Sequence, residues 1–270
     1  MSRVFLVAMM LSGILGVAKT TAASETTDPS RVNSAIIPVQ QQFFAQRHAD
    51  KVALVQKNRY DLLMIGDSIT NNFEDPPYGD VWRHYFAPRN ALDLGYGGAR
   101  TENILWNLTH GELDGQSPKA VVLLIGTNNA DDANYPTANS ALEIFEGTAA
   151  IVKLLREKLP KSQILLLRIF PRQNVYVNPD GSEKGDVQQR LSTCLGAGEL
   201  AKSLADGEHV LYLDVNPIFL RPDGTLDPKL MPDLLHPSPA GALAWARAME
   251  PLLSKIFADK PQEKAASLQR

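Results

Sequence analysis

Five short apolar runs punctuate the chain, at residues 62–65, 91–94, 121–125, 164–169 and 210–213. They are continuous rather than alternating, the pattern of strands buried on both faces. Amphipathic stretches lie between them. Over residues 137–159, Leu142, Phe145, Ala149, Val152 and Leu155 recur at spacings of three and four, which predicts one apolar helix face, and Pro160 ends the helix. A last helix takes Ser238 as N-cap and Pro239 as its first residue, and turns Leu243, Ala246, Met249 and Leu253 inward. Strand and helix in alternation predict an α/β protein, a parallel sheet covered on both faces.

The chain's first residues have a different pattern. Arg3 precedes an apolar run at residues 4–17 that gives way to small and polar residues at 18–24, the layout of a secretory signal peptide cleaved after Ala18 or Ala23. The run is shorter than the roughly 20 apolar residues of a bilayer span. Export to the periplasm or medium is therefore expected, without stable membrane insertion. The resulting organisation is a signal peptide at 1–23, a Thr/Ser/Asp-rich linker at 24–34, one domain at 35–258 and a flexible polar tail at 259–270.

Charge and cysteine content narrow the function classes. The 270 residues carry 27 Lys+Arg against 30 Asp+Glu, a net charge of -3 with both signs dispersed, so no basic stripe is present to neutralise phosphates. Nucleic acid is not an expected partner. With Cys194 as the only cysteine, an internal disulfide and a Cys-x-x-Cys zinc site are both excluded.

Ligands of open parallel sheets bind outside the carboxyl ends of the strands. Three of these ends carry unusual sequence: Gly66-Asp67-Ser68, Gly95-Tyr96-Gly97-Gly98 and Gly126-Thr127-Asn128-Asn129. Each alone also reads as an ordinary turn or helix cap. A fourth segment changes the reading: Asp233-Leu234-Leu235-His236 places a carboxylate three residues before an imidazole, just ahead of the last helix. Together these residues suit acyl transfer. Ser68 is a candidate nucleophile, His236 its general base, and Asp233 the group that fixes the imidazole tautomer. The backbone N–H groups of Ser68 and Gly98 and the side-chain amide of Asn128 are candidate oxyanion donors. Ile69, Thr127 and Leu235, next in sequence to these residues, are candidates for a tight acyl pocket that prefers acetyl.

This ordered set resembles the SGNH hydrolases, or GDSL esterases and lipases, whose serine, glycine, asparagine and histidine blocks correspond to Ser68, Gly98, Asn128, and Asp233 with His236. Within that family the likeness runs furthest to the catalytic subunits of the type Ib platelet-activating factor acetylhydrolases. It extends through Val81-Trp82-Arg83, residues 94–98, 104–108, 111–113 and 121–129, Phe170-Pro171-Arg172, and Asp223-Gly224-Thr225. The resemblance implies a flavodoxin-like three-layer α/β/α sandwich, a serine mechanism without metal or cofactor, esters with small acyl groups as substrates, and a homodimer. The departures are the signal-like N-terminus, Ala99 in place of an acidic residue, and a longer turn-rich loop at 173–186. These shift the expected substrate toward a small ester or an O-acetylated carbohydrate, beside a short-chain acyl lipid. Two other classes stay open: a metal-dependent phosphoesterase using Asp67, Asn128, Asp131, Asp132 and a histidine, and a non-catalytic carbohydrate-binding protein on the same fold. The Gly-x-Ser-x-Gly elbow of the α/β-hydrolases is absent.

Overall fold

The computed structural model describes residues 32–262. The expected signal peptide with its cleavage points, most of the linker and residues 263–270 lie outside the described residues. In chain order the elements are α1 (Ala45–Lys57), β1 (Leu62–Gly66), α2 (Ser68–Asn71), α3 (Gly79–Val81), β2 (Ala91–Gly95), α4 (Thr101–Asn107), β3 (Ala120–Leu124), α5 (Ala141–Lys158), β4 (Gln163–Leu167), β5 (Tyr176–Val177), β6 (Glu183–Lys184), α6 (Val187–Ala201), β7 (Val210–Leu213) and α7 (Pro239–Phe257).

The five apolar runs form one parallel sheet in the order β2-β1-β3-β4-β7. Its register sets a continuous row, Leu92–Leu63–Val121–Ile164–Val210, across all five strands. That row faces one layer, with Val55 of α1, Ile104 and Leu105 of α4, and Ile151 and Leu155 of α5. The alternate residues Leu62, Met64, Val122, Leu124, Leu165 and Leu167 face the other layer, where Phe73, Phe86, Phe170 and the α7 residues Trp245, Met249 and Leu253 pack. Successive side chains of a strand point to opposite faces, so a run buried on both must be apolar throughout. The result is the three-layer α/β/α sandwich, with the order of strand addition switching sides between β1 and β3.

α7 begins as expected, with Ser238 Oγ accepting the Gly241 N–H and Leu243, Ala246, Met249 and Leu253 all buried. α5 differs from its predicted pattern. It starts at Ala141 rather than 137, because Ser140 and Glu143 form a capping box. Its buried face is Ile144, Gly147, Thr148, Ile151, Val152 and Leu155, whereas Leu142 is 43% exposed.

The residues at both ends of the described range make contacts with the fold. Asn33 bonds the Glu143 carbonyl and the Glu146 carboxylate, and Ala35 is fully buried, so the last residues of the presumed linker are packed on α5. At the other end, Asp259 accepts from Arg89, and the Gln262 N–H donates to Glu250. The first residues of the presumed tail thus belong to the fold. Cys194 on α6 is fully buried, and burial pushes its thiol up to about 11.

Candidate active site

The carboxyl ends of β1, β2 and β3 bring the three predicted motifs to one edge of the sheet. After β1, the Asp67 carboxylate accepts the Ile69 N–H (2.9 Å) and caps α2, which leaves Ser68 as the first helical residue, half-buried at the strand tip. Asp67 makes the cap, and Ser68, the candidate nucleophile, is left free of that role in the same turn. Asp67 itself is buried, and desolvation lifts its carboxyl to about 6.

Ser68 Oγ lies 2.8 Å from His236 Nε2, and His236 Nδ1 lies 2.7 Å from Asp233 Oδ2. With the imidazole proton on Nδ1, both contacts are satisfied: the ring donates to Asp233 and accepts from the serine hydroxyl. The loop holding this pair is built around Asp233, whose Oδ1 also accepts the backbone N–H groups of Leu235 (2.9 Å) and His236 (2.7 Å). Leu234 adopts a left-handed conformation (φ 59°) between them. Burial works against the charge of Asp233, but the hydrogen bonds from the His236 ring and from the two backbone N–H groups outweigh it and hold the carboxyl at about 2. Two bonds fasten the loop to the body of the protein: Gln173 N–H to the Leu234 carbonyl (2.9 Å) and Tyr78 Oη to the Pro237 carbonyl (2.9 Å).

On the opposite side, Gly98 sits at φ 79°, a backbone conformation that favours glycine. Its carbonyl accepts from Tyr135 Oη (2.5 Å), and the Ala99 carbonyl accepts from Asn128 Nδ2 (3.0 Å). One N–H of the Asn128 amide is thereby used to fix the side chain, and the second remains for a ligand. Asn128 follows Gly126, whose φ of 121° turns the chain sharply off β3. Fully buried Arg172 steadies this turn, donating to the Thr127 carbonyl (2.9 Å) and to Asp131 (3.3 Å).

The acyl-pocket candidates separate. Ile69 is 3% exposed and packs in the α7-side core, because the residue after Ser68 on a helix points about 100° away from it. Thr127 is buried, with its hydroxyl 3.9 Å from Cys194 Sγ. Neither is pocket-lining, a correction to the sequence reading. Leu235 is buried between Asp233 and His236 and stays a candidate. Two of the three carboxylates named for a phosphoesterase are paired with arginines: Asp131 with Arg172, and Asp132 with Arg190 (2.5 Å), Asp132 also accepting the Asp186 N–H (2.7 Å).

Sequence reasoning did not assign Tyr78, Tyr135 or Arg172. The Phe170-Pro171-Arg172 likeness was the one signal for the arginine; Tyr78 ends a short 3-10 helix (Pro76–Tyr78) and Tyr135 lies in a loop, neither in a motif. The loop at 173–186 carries the antiparallel pair β5–β6, exposes Val175 and Val177, and is anchored through Asp186 and Arg190 to Asp132.

Residues 64–244 match the GDSL-like lipase/acylhydrolase family. The chain is 30% identical to the platelet-activating factor acetylhydrolase IB subunit alpha2 of Homo sapiens over 208 residues, covering 77% of this chain and 82% of that protein. To subunit alpha1 of Homo sapiens it is 31% identical over 209 residues, with the same coverage. Among solved structures, a GDSL-like lipase from Bacteroides thetaiotaomicron superposes with a TM-score of 0.60 at 16% identity, covering 79% of this chain and 97% of the other. The acetyl xylan esterase AlAXEase superposes with a TM-score of 0.53 at 19% identity, covering 73% and 100%.

Proposed function

Since the chain belongs to the GDSL-like lipase/acylhydrolase family, we propose that it is an exported serine esterase that removes short acyl groups, acetyl above all, from O-acetylated carbohydrate. The observation that carries the mechanism is the unbroken chain Asp233–His236–Ser68, with contacts of 2.7 and 2.8 Å. His236 Nε2 takes the proton of Ser68 Oγ as the oxygen attacks the ester carbonyl carbon. Negative charge moves to the carbonyl oxygen, where the N–H groups of Ser68 and Gly98 and the free N–H of Asn128 receive it. Collapse of this intermediate expels the alcohol, which takes its proton from His236, and leaves Ser68 acylated. Water then attacks the acyl carbonyl carbon as His236 takes one of its protons, and collapse of this second intermediate releases the acid as His236 passes that proton to Ser68 Oγ. Asp233, ionised throughout the neutral range, stabilises the imidazolium at both stages.

Acetyl is the acyl group named in the platelet-activating factor acetylhydrolase relatives. A carbohydrate alcohol is favoured over a phospholipid by the signal-like residues 1–23, which direct the enzyme out of the cytoplasm.

The decisive experiment uses the purified wild type and Ser68→Ala. Wild type should hydrolyse 4-nitrophenyl acetate and acetylated xylan, react with a serine-directed fluorophosphonate and retain activity in EDTA. Ser68→Ala should lose about 10⁴-fold or more in turnover, and all labelling, with its melting curve unchanged. Persistent turnover in Ser68→Ala rejects the nucleophile. Hydrolysis of a short-chain phospholipid but not of acetylated xylan rejects the carbohydrate. Intact residues 1–17 on the native recovered protein, read by mass spectrometry, reject export.

A further inference from the structure

Behind the candidate oxyanion glycine lies a cluster of buried polar groups that the motifs do not include. The segment 95–98 is gripped from several elements. The Gly95 N–H donates to Asp93 Oδ1 (2.6 Å), while the Gly95 carbonyl accepts from Nε of Arg47 on α1 (2.8 Å). The Arg47 guanidinium also bonds Glu74 (2.6 Å) and lies 5.3 Å from the centroid of the Tyr96 ring. Tyr96 is fully buried; its N–H donates to the Gly66 carbonyl (3.1 Å) and its hydroxyl donates to Glu112, a carboxylate 1% exposed at the end of the turn after α4. Gly66 is the residue before Asp67-Ser68, so Tyr96 links the glycine segment to the nucleophile turn.

Packing alone does not call for this arrangement. A phenylalanine at 96 would fill the same apolar space against Phe44, whose ring lies 5.2 Å away, without requiring a carboxylate under it. Burying charged groups costs several kcal/mol per ion before pairing, and a hydrophobic replacement is often as stable. What a directional bond adds over an apolar contact is a fixed position.

We propose that Tyr96, Glu112 and Arg47 are positioning residues for ester hydrolysis, locking the peptide planes of Gly95–Gly98 so that the Gly98 N–H is aimed at the oxyanion before it forms. This rests on the esterase reading above. Glu112 holds the Tyr96 ring at its hydroxyl end and Gly66 holds its backbone, while Arg47 fixes the peptide that precedes it. Gly98 is two residues further on and is held at its own carbonyl by Tyr135. A donor is effective only if it needs no reorganisation as charge develops, and displacement by a fraction of an ångström weakens it. None of the three side chains touches substrate in this scheme.

The test measures 4-nitrophenyl acetate hydrolysis by the full chain carrying Tyr96→Phe. Removal of an oxyanion donor costs roughly 10² to 10³ in kcat, so its misplacement should cost about 10-fold, with KM within about twofold. The inhibition constant of phenylboronic acid, which forms a tetrahedral adduct on a serine nucleophile, should rise by the same factor. Glu112→Gln, which still accepts the tyrosine hydrogen bond, should keep most of the activity, and Glu112→Ala should fall to the Tyr96→Phe level. The double variant Tyr96→Phe/Glu112→Ala should be no slower than either single one. An unchanged kcat in folded Tyr96→Phe, a loss confined to KM, or an unaltered boronate constant overturns the proposal. Tyr96→Phe decides alone if the Glu112 variants fail to fold. A wild type that turns over no ester removes both this proposal and the esterase reading, whereas an active wild type with an indifferent Tyr96→Phe removes this one only.

Discussion

Asp93 has one oxygen on the Gly95 N–H and the other, Oδ2, buried without a partner. Burial, and then the nearby Glu74 charge, raise its carboxyl to about 8 against the pull of the Gly95 N–H, Lys51 and Arg47. An acid whose pKa is raised on folding keeps its proton in the native state after the unfolded chain has lost it. Stability therefore falls as pH rises from about 4 toward 8, then levels off. Asp93→Asn preserves an acceptor for Gly95 and removes that ionisation, so the drop in melting temperature between pH 5 and pH 8 should shrink. An undiminished drop would mean that Asp93 is charged in the native protein. Glu112, raised to about 7 by burial, contributes in the same direction and remains in the variant. The residues that could be read from sequence, Ser68, Gly98, Asn128, Asp233 and His236, each sit in a short motif with its own local chemistry. Arg47 and Tyr135 act through partners far along the chain, which spacing does not reveal. Ile69 and Thr127 failed for the opposite reason: neighbours in sequence are not neighbours in direction.

The strands were legible because a run buried on both faces leaves no alternative periodicity, and their ends moved by one or two residues at most. In the case of β4, predicted at 164–169 and found at Gln163–Leu167, the sheet ends with its β7 partner, and Ile169 leaves to pack against Cys194 and Ala197 of α6. For α5 the helix was legible and its face only in part: Val152 and Leu155 are buried as predicted, but Gly147 and Thr148 are buried too and neither counts as apolar in a periodicity. Gly147 shows why. A Cβ there would lie 2.9 Å from the Ala35 carbonyl oxygen and closer still to Thr101 Oγ1. Gly→Ala inside a helix ordinarily gains about 1 kcal/mol. Here the substitution should instead destabilise by about 1–3 kcal/mol through overpacking, read as a lower urea midpoint. A stabilised Gly147→Ala would show that the 33–37 segment yields easily.

Across the whole molecule, the order β2-β1-β3-β4-β7 explains why the site assembles: strands are added to one side of β1 and then, from β3 on, to the other, and this switch opens a crevice at the carboxyl ends of β1 and β3, which Ser68 and Asn128 follow. The alternation of strands and helices foretold the sandwich, but not how the chain closes. Arg89, 3% exposed, bonds Glu250 (2.7 and 2.8 Å) and Asp259 (3.0 Å), joining the segment before β2 to the end of α7. In sequence, Asp259 looked solvent-facing because its partner lies 170 residues away. Arg89→Ala leaves the Glu250 carboxylate buried without its cation, and should cost about 3–5 kcal/mol in denaturant unfolding. A loss below about 1 kcal/mol would mean that the segment after α7 is held at Asp259 by α7 packing alone.

The setting of Cys194 has a practical side. A thiol that is fully buried and shifted to about 11 presents almost no thiolate at neutral pH, so the folded protein should behave toward maleimides as though it had no cysteine. Val177→Cys, at a position 65% exposed on the β5–β6 hairpin, would then be the single addressable thiol, and a fluorophore attached there could follow that hairpin during turnover in an otherwise native background.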